Sequence, residues 1–87
     1  MIIMNMKEIF EYTFAGHEVP KAHYMIGNDY TVFVIAKYED TEDETFFLYV
    51  LKPIENNCVC LKADKFENLM NIVKMLTYSF SIVYLEN

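Results

Sequence analysis

The sequence predicts an α+β domain. It reads as an antiparallel sheet of five or six strands, one amphipathic helix at about residues 64–77 on one face, and a C-terminal strand at about 78–85. Three observations lead there. Two long apolar runs, "YTVFVIAKY" and "TFFLYVLK", flank a short acidic run in the manner of a hairpin. Phe66, Leu69, Met70, Val73 and Leu76 recur at helical spacing. The closing segment "YSFSIVYL" alternates with period two. At 87 residues the chain is one domain, 1–87, near the small end of what folds alone.

Along the chain, "NMKEIFEYTFAG" fits two elements. As a strand, Phe10, Tyr12 and Phe14 share one side, with Lys7, Glu11 and Thr13 on the other. As a helix, Asn5 with Glu8 makes a capping box, and Gly16 stands where a terminating glycine belongs. Its aromatic and β-branched content favours the strand. "AGHEVP" is then a turn and "KAHYMI" a short second strand, with Pro20 suiting an edge. "GND" is a tight turn into the first long apolar strand. After the second long strand, Pro53 and "ENN" turn the chain into "CVCLK". Asp64 is the N-cap candidate of the helix, and Glu67 completes a capping-box pattern.

The two central strands are apolar on both faces. Val32, Val34 and Ala36 point one way and Phe33 and Ile35 the other; Phe46, Leu48 and Val50 oppose Phe47, Tyr49 and Leu51. An antiparallel sheet with one wet face alternates apolar with polar, so both faces need cover. A helix of this length is ~20 Å long and covers roughly two strands, whereas five strands span ~24 Å. Sheet curvature, the N-terminal segment folding over, or a second chain must supply the rest. A homodimer, or a sheet face docked on a partner, is one expectation.

Composition excludes several functions. The net charge is −6, all seven cationic residues are lysine, and arginine is absent. Such a chain is poorly equipped to bind nucleic acid directly and suits a basic partner. The abundance of Lys, Asn, Ile, Tyr and Phe also matches AT-rich codons, a second source for the missing arginine. Two cysteines are too few for a disulfide framework, and at i and i+2 on one strand they are badly placed to bond each other. A reducing, cytoplasmic setting follows as the expectation. No stretch approaches the ~18 apolar residues of a membrane span, so no membrane association is expected.

The soft metal ligands number four: His17, His23, Cys58 and Cys60. Their spacing is not that of a zinc knuckle, so no metal and no cofactor is expected. Residues 39–44 hold five carboxylates but lack the glycine and alternation of a calcium loop. The two serines lie in an alternating segment without a nucleophile elbow, and no glycine-rich loop exists to cradle phosphate. An enzyme is therefore not expected.

What remains is the acidic run itself. It reads either as a solvated hairpin tip or as a surface that meets a basic protein. On the second reading Glu39, Asp40, Glu42, Asp43 and Glu44 occupy a groove built for nucleic acid. Tyr38, Phe46 and Tyr49 then supply apolar contacts. Asp29, Glu55 and Glu86 would strengthen the patch if they lay nearby. In size, acidity, AT bias and lack of catalytic motifs the chain resembles phage- or mobile-element-encoded inhibitors of the anti-CRISPR and anti-restriction type. That resemblance implies a non-enzymatic blocker of a nucleic-acid-handling protein in the host cell.

Overall fold

A computed structural model describes residues 6–14, 16–39 and 43–80. The order is α1 (Met6–Thr13), β1 (Lys21–Gly27), β2 (Val32–Lys37), β3 (Phe46–Lys52), β4 (Asn57–Asp64) and α2 (Phe66–Phe80). The four strands form one antiparallel meander, β1-β2-β3-β4.

Both faces of the sheet carry a helix. On one, Val32, Val34, Ala36, Tyr49 and Leu51 pack with Met25 and with Phe10 of α1. On the other, Ile26, Phe33, Ile35 and Leu48 pack with Leu69 and Val73 of α2. This is the partition expected from the doubly apolar central strands, and the N-terminal segment supplies the second cover.

It does so as a helix, which corrects the strand reading of that segment. Ile9, Phe10, Thr13 and Phe14 form the inward stripe at helical spacing, while Lys7, Glu8, Glu11 and Tyr12 are exposed. Eight residues are too few for a stable isolated helix, so burial of this stripe must hold it. The benefit of covering the Tyr49 face outweighs the β-propensity of the aromatics. Gly16, at φ 87°, takes the left-handed conformation that ends the segment.

Among the described residues the sheet has four strands, and the expected fifth or sixth is not found there. The other loss is at the far end, where α2 runs on to Phe80. Tyr78, Ser79 and Phe80 are helical, against the expected strand at 78–85, whose remainder (81–85) lies outside the described residues. Val73 and Thr77 continue the buried stripe about two turns beyond Leu69, and the Thr77 hydroxyl donates to the Val73 carbonyl at 2.9 Å. The helical register thus persists through the point where the alternating pattern begins.

The start of α2 is also shifted by one residue. Leu69 N–H donates to the Lys65 carbonyl, so Lys65, not Asp64, is the last residue before the helix. Asp64 Oδ1 accepts from Lys65 N–H at 2.7 Å and from Asn68 Nδ2 at 3.0 Å. Asn68 thus meets the Asp64 side chain as a donor to its carboxylate, a contact different from the backbone bond of a capping box.

Turns fix the register. Asn28 Oδ1 accepts from the N–H groups of Tyr30 and Thr31 at 2.8 and 3.0 Å, and Asn28 N–H donates to the Thr31 carbonyl at 2.9 Å. The loop closes so tightly that a Cβ on Gly27 would lie 2.2 Å from the Thr31 oxygen. Asn56, at φ 52°, closes the Pro53 turn through a 3.2 Å bond to the Pro53 carbonyl. Both edge strands carry a bulge, β1 at His23 and β4 at Leu61. Bulges twist an edge away from the flat geometry that recruits further strands.

Candidate interaction surface

Each successive turn of a meander lies at the opposite end of the sheet. The connection between β2 and β3, which holds the acidic run, is at the end where Lys21 pairs with Lys37 and Phe46 with Asp64. Glu39, Asp43 and Glu44 are exposed there. Asp40 and Glu42 lie outside the described residues. Asp43 Oδ1 accepts from Thr45 N–H at 3.1 Å, a local turn that leads into β3. Asp29 and Glu55 sit in the turns at the far end, so they do not extend the patch, and Glu86 is outside the described residues.

The aromatic residues expected beside the run divide between the two faces. Tyr38 is half-buried, its ring edge-on to Phe47 at 5.6 Å, and its hydroxyl lies 3.5 Å from that of Tyr49. Tyr49 is only 7% exposed and packs edge-on to Phe10 at 5.6 Å and to Phe14 at 5.4 Å. Burial, reinforced by the Tyr38 hydroxyl, pushes its phenol well above the ordinary value of 10.0. Tyr49 thus belongs to the core and serves the surface by holding Tyr38. Phe46 lies on the opposite face, between His23 at 5.1 Å and Phe66 at 5.2 Å. The acidic connection is braced by rings on both sides, and of the three expected aromatics Tyr38 and Phe46 reach the surface in part.

Beside it opens a cleft of about 400 Å³, lined by His23, Lys37, Glu44, Phe46, Lys65, Phe66 and Glu67. The lysines are what the linear reading missed. Lys21, Lys37, Lys62 and Lys65 all gather at this end, from three strands and the start of α2. Strand pairing about the acidic turn is the signal that would have found Lys21 and Lys37.

The four soft ligands do not converge. Cys58 and Cys60 pair with Leu51 and Tyr49 and so face the α1 side, whereas His23 contacts Phe46 on the α2 side. His17 is exposed in the α1–β1 connection. Among the described residues no group of three or more His, Cys, Asp or Glu is placed to hold a metal ion. No buried side-chain polar atom there lacks a hydrogen-bond partner, so no orphaned group is aimed into a cleft. Among the described residues no helix is long and apolar enough to cross a membrane.

Comparison with known proteins finds no matching family model, no matching curated protein and no matching solved structure.

Proposed function

We propose that this protein is a non-enzymatic acidic inhibitor that engages a basic, nucleic-acid-handling protein through the connection between β2 and β3. It acts in the manner of a phage or mobile-element anti-defence protein such as an anti-CRISPR. The observation that carries this reading is the projection of exposed Glu39, Asp43 and Glu44 from one end of a sheet whose faces are both occupied by helices. Carboxylates on a short hairpin can enter a groove lined by lysine and arginine, and the attraction speeds encounter. Tyr38 and Phe46, anchored from opposite faces, would supply the apolar contact at its base.

The test is capture from host lysate at low and high salt, with wild-type protein and a variant in which Glu39, Asp40, Glu42, Asp43 and Glu44 are all lysine. The proposal expects a basic, nucleic-acid-binding protein that is lost at high salt and from the variant. A folded variant that captures and inhibits the same protein as before rules it out.

A second reading has its own support. Val59 and Leu61 on the outer strand β4 are 48% and 51% exposed. With both sheet faces covered, this margin offers an exposed apolar edge for a homodimer or a hydrophobic ligand. Such an interface would survive high salt, which separates it from the first reading.

A further inference from the structure

The Cys-x-Cys pair of β4 forms a dithiol that has no part in the surface described above. Cys58 and Cys60 are both free thiols, opposite Leu51 and Tyr49 in the regular stretch of β4 before its bulge. They therefore point to the same side of the sheet, beside α1. Cys58 is half-buried against the α1-side core and Cys60 is exposed, so the pair has one anchored and one accessible member.

Their spacing selects what they can do. Same-face neighbours on a strand lie ~6.8 Å apart. A disulfide needs its Cβ atoms within ~4.5 Å, so the two cannot oxidise to each other without moving the backbone. A thiolate–metal–thiolate bridge is longer. With metal–sulfur bonds of ~2.3 Å, a linear bridge sets the sulfurs ~4.6 Å apart. Ordinary χ1 rotation of the two side chains toward each other can reach that separation.

Ligand number narrows the ion. Among the described residues no third Cys, His, Asp or Glu joins the pair. Zinc requires four ligands, whereas soft thiolates select copper(I).

We infer that Cys58 and Cys60 form a two-coordinate site for a soft monovalent cation of the copper(I) class, on the α1 side of β4. On binding, both thiols release their protons to solvent. Two thiolates and one monovalent cation then leave the site with a single negative charge. Because binding releases these protons, loading strengthens as pH rises.

The experiment uses the full chain, reduced and free of oxygen, titrated with copper(I) against a competing chelator. X-ray absorption of the product and native mass spectrometry after equal additions of copper(I) and zinc(II) complete it. The expected result is one copper per chain, two sulfur neighbours, no retained zinc, and loss of copper from Cys60→Ser. Cys60 is exposed, so this variant keeps the fold, which circular dichroism checks; Cys60→Ala is a second such variant. Copper retained equally by both variants, copper yielded by wild type to the chelator, or one copper shared by two chains overturns the inference.

Discussion

Phe10→Ala and Tyr12→Ala separate a helical N-terminal segment from an extended one. In a strand, both side chains lie on one face and truncation costs are similar. In α1 they lie a little over half a turn apart. Phe10 is 0% exposed and touches the rings of Phe14 and Tyr49 at 5.0 and 5.6 Å, whereas Tyr12 is 65% exposed. A buried Phe→Ala change costs about 3–5 kcal/mol, and two edge-on ring contacts place this site in the upper part of that range. An exposed substitution stays within about 0.5 kcal/mol. For 87 residues the whole stability is about 4–13 kcal/mol, so Phe10→Ala removes a large share of it. With a urea slope of about 1 kcal/mol/M, the two midpoints should differ by about 4 M. If Phe10→Ala proves too unstable to measure, Phe10→Leu preserves the ordering with a smaller gap. Equal midpoints for the Phe10 and Tyr12 variants would refute the helix and the face it covers.

Three further outcomes follow from local geometry. Gly27→Ala places a methyl group 2.2 Å from the Thr31 carbonyl oxygen, which is backbone and cannot rotate away. A loss of more than ~1 kcal/mol by chemical denaturation is expected, and a neutral result would show that the turn relaxes. Tyr49 should be absent from the tyrosinate absorbance step near pH 10, and that step should recover all seven tyrosines on unfolding. Its folded value is raised, so the associated stability is complete below the ordinary value of 10.0 and is lost as pH climbs through the folded value; Tyr49→Phe should blunt that loss. The Asn68 amide, then the Lys65 N–H, hold the Asp64 carboxyl below its ordinary 3.8. That contribution is present above 3.8 and lost as pH falls through the folded value, and Asn68→Ala should raise the Asp64 midpoint in an NMR titration.

Most of the fold is legible from local patterns. The central strands declare themselves by being apolar on both sides, and α2 by the spacing of Phe66, Leu69, Met70 and Val73. The errors fall where two periods fit the same residues. In α1, Phe10 and Phe14 satisfy i, i+4 as well as i, i+2, i+4. What decides is the demand of the Val34 and Tyr49 face for cover, a non-local term. At the end of α2, the alternation of Tyr78 and Phe80 hides a helix that Val73 and Thr77 have already committed. For the candidate surface, the exposed ends of the acidic run were legible, but its neighbours were not. Asp29 and Glu55 look close in composition yet lie at the opposite end, because consecutive turns of a meander alternate. Tyr49 reads as a flanking contact until its pairing with Cys60 places it under α1.

The lysines at the acidic end sharpen the electrostatic argument. Neighbouring strands lie ~4.8 Å apart, so Lys21 and Lys62 fall within roughly a Debye length of the base of the hairpin at ~0.1 M salt. Exposed Glu39, Asp43 and Glu44 therefore project over a shoulder of opposite sign rather than forming one negative end. A basic groove is drawn to the tip and repelled by the shoulder, which limits how deeply it can engage. Neutralising the exposed Lys21 and Lys62 as glutamine should raise the association rate with the captured basic partner and steepen its salt dependence, as stopped-flow mixing at several ionic strengths would show. A slower association would mean that these lysines themselves meet acidic groups on the partner. The acidic tip could then no longer be the feature that steers the encounter.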